Sequence, residues 1–587
     1  RLLQNAPREE LGMRELTAQL LEFHRREAKP QWWAMFDRQG RSEEELIDDA
    51  ECLGGLRMDR TISPFPQARS VVFTYRFPPQ DYKFDVGDNC RISATLEPAG
   101  SIFFLNPEEG VVQIKRGANR GELPAALSII PDGPINSDVL RTAIYRFAGH
   151  LIAGTGRYQA VQSLLKRDMP IISGHIEGSP IIRDPNNLLD ETIQAVKHMR
   201  DSCLFIQGPP GSGKTYTSAH VIVELMRARR KVGVASNSHK AINNLLAAVE
   251  RRALECGLSF HGIKKSNDNP ESSFNGRFVR DVTNNKDVNP GSDLIAGTAW
   301  LFARPELEQA LDYLFVDEAG QVSLANLVAM ALSAQNVVLV GDQMQLAQPI
   351  QGVHPGDSGL SALDYLLQGA ATISPERGIF LPKTWRMHED VCRFISEVVY
   401  DGRLDPEPEN QNRHLVLAAG AHRALASSGI RFVPVDHTGC SQKSEEEGRV
   451  IQDIFESLLN QRYRDREGKE HPFSMDNILV VTPYNVQVNY LKSVLPAGAR
   501  IGTVDKFQGQ EAEVVLISMV TSSAEDLPRN VEFLYSKNRL NVAISRARSL
   551  ALIVASPRLL EIPCWTVEQM RLVNTLCRAA AVGNGLR

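Results

Sequence analysis

One eight-residue segment, Gly208 to Thr215 (GPPGSGKT), constrains this chain more than any other. It fits G-x-x-x-x-G-K-[ST], follows the apolar run CLFIQ and leads into TYTSAHVIVELMR, whose apolar residues recur at helical spacing. A strand, a glycine loop and a helix in that order form a phosphate cradle. The glycines let backbone N–H groups turn inward, and the helix N-terminus adds its dipole. Candidate nucleotide contacts are therefore Gly208, Pro209, Pro210, Gly211, Ser212, Gly213, Lys214, Thr215 and Tyr216. Lys214 is placed to reach the β- and γ-phosphates of ATP, and the Thr215 hydroxyl to ligate Mg²⁺.

A second carboxylate site lies in LFVDEAGQ, about 100 residues further on. Asp317 ends an apolar strand, which puts it on the sheet edge that carries the glycine loop. Asp317 is the candidate second metal ligand, and Glu318 the candidate to position or deprotonate an attacking water. An acidic pair in an ordinary turn is the bland alternative, and the strand-terminal position argues against it.

The surrounding pattern is α/β. CLFIQ, KVGVAS, DLIAGT, YLFVDE and NVVLVG form one set of strand-like runs; IRFVPV, NILVVTP, RIGTVD, EVVLISMV and ALIVAS form another. Two such sets predict two doubly wound parallel-sheet domains, over 180–371 and 372–587. The polar stretch 264–292 reads as a surface insertion in the first set. Ahead of them, 1–60 has helical spacing, 61–135 has short alternating runs broken by Pro, Gly and Asp, and 136–179 returns to helix. That order predicts a helical stalk, a small β-barrel and returning stalk helices.

Composition narrows little more. A chain of 587 residues exceeds one hydrophobic core, and 65 Lys and Arg against 70 Asp and Glu neither require nor exclude a nucleic-acid partner. The eight cysteines contain no CxxC pair, so zinc and iron–sulfur sites have no support. They read as reduced thiols of a cytoplasmic protein. No apolar run approaches the roughly 20 residues of a membrane span.

Further motifs follow in order: GDQMQLAQP (341–349), TWRMHEDVCRFIS (384–396), TVDKFQGQEAEVVLIS (503–518) and LNVAISRAR (540–548). With these, the chain over 180–560 resembles superfamily 1 helicases. The resemblance is strongest to the branch of the nonsense-mediated-decay RNA helicase and the nuclease-helicase of Okazaki-fragment processing. It implies two RecA-like domains with ATP and Mg²⁺ between them, movement on single-stranded nucleic acid, and 5′→3′ polarity. By the same resemblance Gln345 senses the γ-phosphate, Arg386 and Arg546 are arginine fingers from the second domain, Trp385 stacks on adenine, and Glu511 bonds the ribose. An arginine finger acts only when the cleft closes, which couples hydrolysis to motion. One departure is visible. The family's adenine-reading glutamine falls at Thr192, which leaves Gln194, two residues on, as the candidate base reader.

SNSHKAINN (236–244) and GTAW (297–300) follow strands of the first set, making Ser238, His239 and Thr298 candidates for holding a strand's phosphates. A lone histidine is as often structural. Asp505, Lys506 and Gln508, in the second-domain motif, are further candidates for the strand or the interdomain cleft. KPQWWAMFDR (29–38) is similar to prokaryotic proteins that fuse a RecB-like nuclease to such a helicase. That resemblance implies a nuclease preceding Arg1 and favours DNA over RNA. The rival readings are an ATP-switched nucleic-acid clamp and a P-loop enzyme for a small molecule.

Overall fold

The computed structural model describes residues 1–4, 6–107, 109–267, 269–507, 509–528 and 531–583; Gln508 lies outside the described residues. By contact the chain divides into two units. The first comprises Arg1–Ala153, Asn267–Pro270 and Pro349–Gly359, and the second Gly154–Ser266, Glu271–Gln348 and Leu360–Arg587.

In the first unit, helices Leu11–Leu20 and Asp138–Ala153 pack together through Met13, Leu16, Ile144 and Phe147, all buried. Arg14 Nη2 ties them by donating to the Leu151 carbonyl at 3.0 Å. Six antiparallel strands close into a ring: Leu53–Met58, Ala126–Pro131, Asn89–Ile92, Pro98–Asn106, Val111–Gly117, Ser70–Arg76 and back to Leu53–Met58. Phe65–Gln67 hangs on Ser70–Arg76 as a hairpin. Alternation fills the barrel, as where Val112 and Ile114 point inward while Gln113 and Lys115 lie at its wall. Pro349–Gly359 belongs to this unit through Glu27 of helix Phe23–Gln39. Glu27 Oε1 accepts from Gly352 N–H at 2.8 Å and sits 2.6 Å from His354 Nε2. Phe23 stacks on His354, ring centroids 4.4 Å apart.

The second unit holds two parallel sheets. The first runs Val279–Val282, Gly262–Lys265, Leu294–Gly297, Val232–Ala235, Leu311–Val316, Ala334–Gly341, Cys203–Gln207, Gly378–Phe380. The second runs Gly429–Pro434, Ala547–Ala555, Ala512–Ser518, Ile478–Thr482, Arg500–Thr503. Central strands such as ILVVT and AEVVLIS are buried at every position, because helices cover both faces. Ile454, Phe455 and Leu458 of helix Glu445–Leu459 pack on Val480, Leu516 and Leu552, and Val221 and Ile222 of helix Lys214–Arg227 share a core with Ile206, Val234 and Phe315. The architecture is two RecA-like doubly wound domains with N-terminal helices and a small closed barrel.

Four strands lie where the sequence pattern did not put them. Gly378–Phe380 falls in the segment expected to open the second domain, yet it pairs with Cys203–Gln207 on the first sheet. Gly262–Lys265 and Val279–Val282 bound or lie within the stretch read as a surface insertion, and they extend that sheet at its edge. Leu53–Met58, within the segment expected to be helical, is a barrel strand.

Candidate nucleotide site

Parallel strands end at one edge of their sheet, and that edge gathers their following loops. Three adjacent strands of the first sheet carry the glycine loop, Asp342 and Asp317–Glu318 there. Gly208 N–H donates to the Gly341 carbonyl at 2.9 Å. Lys214, at the start of its helix, donates from Nζ to the Gly208 carbonyl at 2.7 Å. Asp317 is buried. Burial pushes its carboxyl up to about 7, the neighbouring Glu318 adds to the push, and Lys214 opposes it. Glu318 occupies left-handed backbone with φ 53°, which a non-glycine residue keeps only where its surroundings hold it.

The second domain reaches the same place. Thr384 Oγ1 donates to the Pro210 carbonyl at 3.0 Å, and Trp385 N–H to the Gly211 carbonyl at 2.8 Å. Gly211 has φ +74°, and a Cβ there would lie 2.6 Å from the Arg386 Cβ, so the approach requires glycine. Arg386 donates from Nη1 to the Ser545 carbonyl at 3.1 Å and from Nε to Glu511. Arg546 is 2% exposed; Nη1 donates to the Gln510 carbonyl at 3.3 Å, while Nε and Nη2 have no hydrogen-bond partner. Burial drives its guanidinium down to about 9, the Arg386 charge adds to this, and Glu318 and Glu511 counter it. Two neighbouring guanidiniums, one with orphaned buried N–H groups, fit a polyanion.

Beside this seam lies a cleft of about 780 Å³ lined by Gly211, Ser212, Gly213, Tyr216, Thr217, Trp385 and Arg466, with Pro185, Asn186 and Leu188 among its other walls. That size suits a nucleotide. Trp385 is half-exposed, and the Arg466 guanidinium lies 4.8 Å from its ring centroid. Hard oxygen donors at Asp317 and Thr215 suit Mg²⁺. Among the described residues no group of three or more His, Cys, Asp or Glu could hold a metal, so nucleotide oxygens and water would complete its shell.

Two expected contacts sit elsewhere. Gln194 is exposed and lines a separate pocket with His175 and Arg183, because its helix turns it away from the glycine loop. Thr192 is no substitute, since its hydroxyl is spent on the Leu188 carbonyl at 2.6 Å. Glu511 has both oxygens engaged, by Arg386 and by Arg548 Nη2 at 2.6 Å, and does not line the cleft. Arg466 and Asn186, which do line it, sit outside every motif, and no local spacing marks them.

Known proteins resemble this chain in sequence. Residues 190–357 and 361–558 each match a family model described as an AAA domain. The chain is 25% identical over 392 residues to the DNA replication ATP-dependent helicase/nuclease JHS1 of Arabidopsis thaliana, covering 64% of this chain and 28% of that one. It is 27% identical over 402 residues to the DNA polymerase alpha-associated DNA helicase A of Schizosaccharomyces pombe, covering 58% and 59%. Against the regulator of nonsense transcripts 1 homolog of Drosophila melanogaster it is 24% identical over 481 residues, covering 72% and 38%. The chain is thus similar to superfamily 1 helicases of the nonsense-mediated-decay and nuclease-helicase branch. The chain spans between 28% and 59% of these three relatives' lengths.

The remaining candidates fall on two loop clusters. Ser238 and Thr298 each cap a helix after neighbouring strands paired at Ala235 and Gly297, so they share one edge of the first sheet. His239 is half-buried with Nδ1 unpartnered; burial lowers its pKa, and Lys264 and Lys265 lower it further. Asp505 and Lys506 are exposed after Arg500–Thr503, and Asp505 pairs with Arg539 at 3.0 Å. Gln345 is buried and donates from Nε2 to Asp342 at 3.1 Å.

Proposed function

We propose that this chain is an ATP-hydrolysing superfamily 1 helicase that moves 5′→3′ along single-stranded DNA. One observation carries the reading. The buried, half-partnered Arg546 of the second domain lies within electrostatic reach of Glu318, on the strand edge that bears Lys214 and Asp317. A guanidinium with free N–H groups there answers charge developing on a transferring phosphoryl group, and only while both domains meet. DNA as the track is supported by the names of two of these relatives, and an associated nuclease by one.

Each residue then has a task. Lys214 exchanges its bond to the Gly208 carbonyl for phosphate oxygens, and Glu318 accepts the proton of the attacking water. Arg386 and Arg546 neutralise the leaving charge, and Trp385 offers its exposed face to the base. Mg²⁺, held by Thr215 and Asp317, would neutralise phosphate charge when bound. Ser238, Thr298 and Lys506 hold the strand's backbone and read no bases, and Asp505 faces the strand or the interdomain cleft.

The test is ATP turnover and strand displacement measured together on DNA and RNA duplexes with single-stranded tails of either polarity. Turnover stimulated by single strands and displacement from 5′-tailed DNA are expected. Turnover indifferent to either nucleic acid would overturn the motor. Stimulation without displacement would leave the clamp, and displacement only on RNA would reassign the track.

A further inference from the structure

One side chain outside every motif joins the Gln345 loop to two helices, one beginning just after Arg386 and one ending just before Arg546. Tyr400 caps the C-terminus of helix Glu389–Val399, which begins three residues after Arg386. It is fully buried, and its hydroxyl donates to Asp342 Oδ2 at 2.6 Å. Gln345 Nε2 donates to that same carboxylate oxygen at 3.1 Å. The Tyr400 hydroxyl in turn accepts from Asn541 Nδ2 at 3.0 Å, and Asn541 also donates to the Met344 carbonyl at 2.7 Å. Asn541 belongs to helix Lys537–Ile544, which ends two residues before Arg546. Burial and the facing carboxylate push the Tyr400 hydroxyl well above its usual range, so it stays protonated and donates.

We infer that Tyr400 is a positioning residue for hydrolysis, locking the loop of Gln345 in register with Arg386 and Arg546 through the Asp342–Tyr400–Asn541 chain. The physical reason is the low dielectric of the junction. There a hydroxyl-to-carboxylate bond is strong, and an unmade one leaves Asp342 short of a donor and Asn541 without one of its two acceptors. Any displacement of the Gln345 loop must therefore break this junction or carry both helices with it. Tyr400 is fully buried and does not line the cleft, so it acts through its neighbours. The inference rests on the reading that this site hydrolyses ATP.

Tyr400→Phe keeps the ring and removes only the hydroxyl. In the full chain, kcat of strand-stimulated ATP turnover should fall on the order of tenfold, with KM for ATP within about twofold of the parent. Turnover is normalised to sites that bind a fluorescent ATP analogue, so a loss of folded protein does not register. Asn541→Ala should show the same fall, and the double variant no more than the worse single one. Unchanged normalised kcat in Tyr400→Phe, or losses that multiply in the double variant, would overturn the assignment. A parent chain that binds the analogue but never hydrolyses ATP with single strands present would end the hydrolysis reading itself, and this inference with it.

Discussion

Arg386 and Glu511 are bound to each other beside the glycine loop, and the second oxygen of the same carboxylate holds Arg548 at 2.6 Å. Arg386 is thus held before any phosphate arrives, which reduces the entropy lost in aiming it.

The pairing separates two roles for Glu511. If it positions Arg386, Glu511→Gln should lower kcat for ATP turnover by about tenfold or more while KM for ATP changes little. A ribose contact would instead raise KM with kcat kept. Steady-state kinetics over an ATP series with saturating single strands decides between them.

The same triplet sets a pH dependence of stability. Burial alone would raise the Glu511 carboxyl, but the charges of Arg386 and Arg548 outweigh it and bring the group down to about 2. A folded-state value below the unfolded one means stability present above about pH 4.5 and lost as pH falls towards 2. Because Glu511 is one-third exposed, the contribution is on the order of 1–2 kcal/mol rather than the full shift. Glu511→Gln should flatten denaturant-derived stability between pH 5 and pH 2. An unchanged slope in that window would remove the ion pair from the account.

Lys214 and Glu318 should fail differently. Lys214→Ala removes the phosphate-binding ammonium, so fluorescent nucleotide binding and turnover should both collapse, the latter by roughly 10²–10³-fold. Glu318→Gln keeps size and hydrogen-bonding capacity, so binding should persist while turnover falls about 10²–10⁴-fold. Normal turnover in Glu318→Gln would refute the water-positioning role.

How much of this was legible depended on where the physics is local. The three central strands of the second sheet were readable because strands buried on both faces are continuous apolar runs. The edge strands GIKK and VRDV were not, since charges interrupt them; nonetheless Lys264 is fully buried. LGGLRM hid behind two glycines, which weaken the alternation that marks a strand. At the site, glycine loop and strand-end carboxylates announce themselves because neighbours in sequence do the chemistry. Asp342, Tyr400 and Asn541 meet across 58 and 141 residues, and no window of sequence reports such a contact. The base-reading position failed for a related reason: a helix of ten residues turned Gln194 outward, and sequence counting does not reveal the angle at which a helix meets a loop.

The segment after the Gln345 loop gives a last test within the first unit. Gln345 lies four residues before Pro349, where Pro349–Gly359 begins. One carboxylate makes several of that segment's bonds: Glu27 accepts from Gly352 N–H at 2.8 Å and Gln351 N–H at 3.2 Å, and meets a His354 side chain only 2% exposed. Arg26 Nε also reaches His354 Nδ1 at 3.2 Å, and Phe23 covers its ring. Glu27→Ala would leave two backbone donors and a buried imidazole without their acceptor, at a cost of about 1–3 kcal/mol. Because the loss is confined to one short segment, it should appear as local opening. Amide exchange at 351–354 should speed up roughly tenfold or more while the strands Cys203–Gln207 and Val111–Gly117 keep their protection. Glu27→Gln retains an acceptor and should restore part of the protection. Equal exchange in the alanine and parent chains would mean that Phe23 stacking, not the carboxylate, holds the segment.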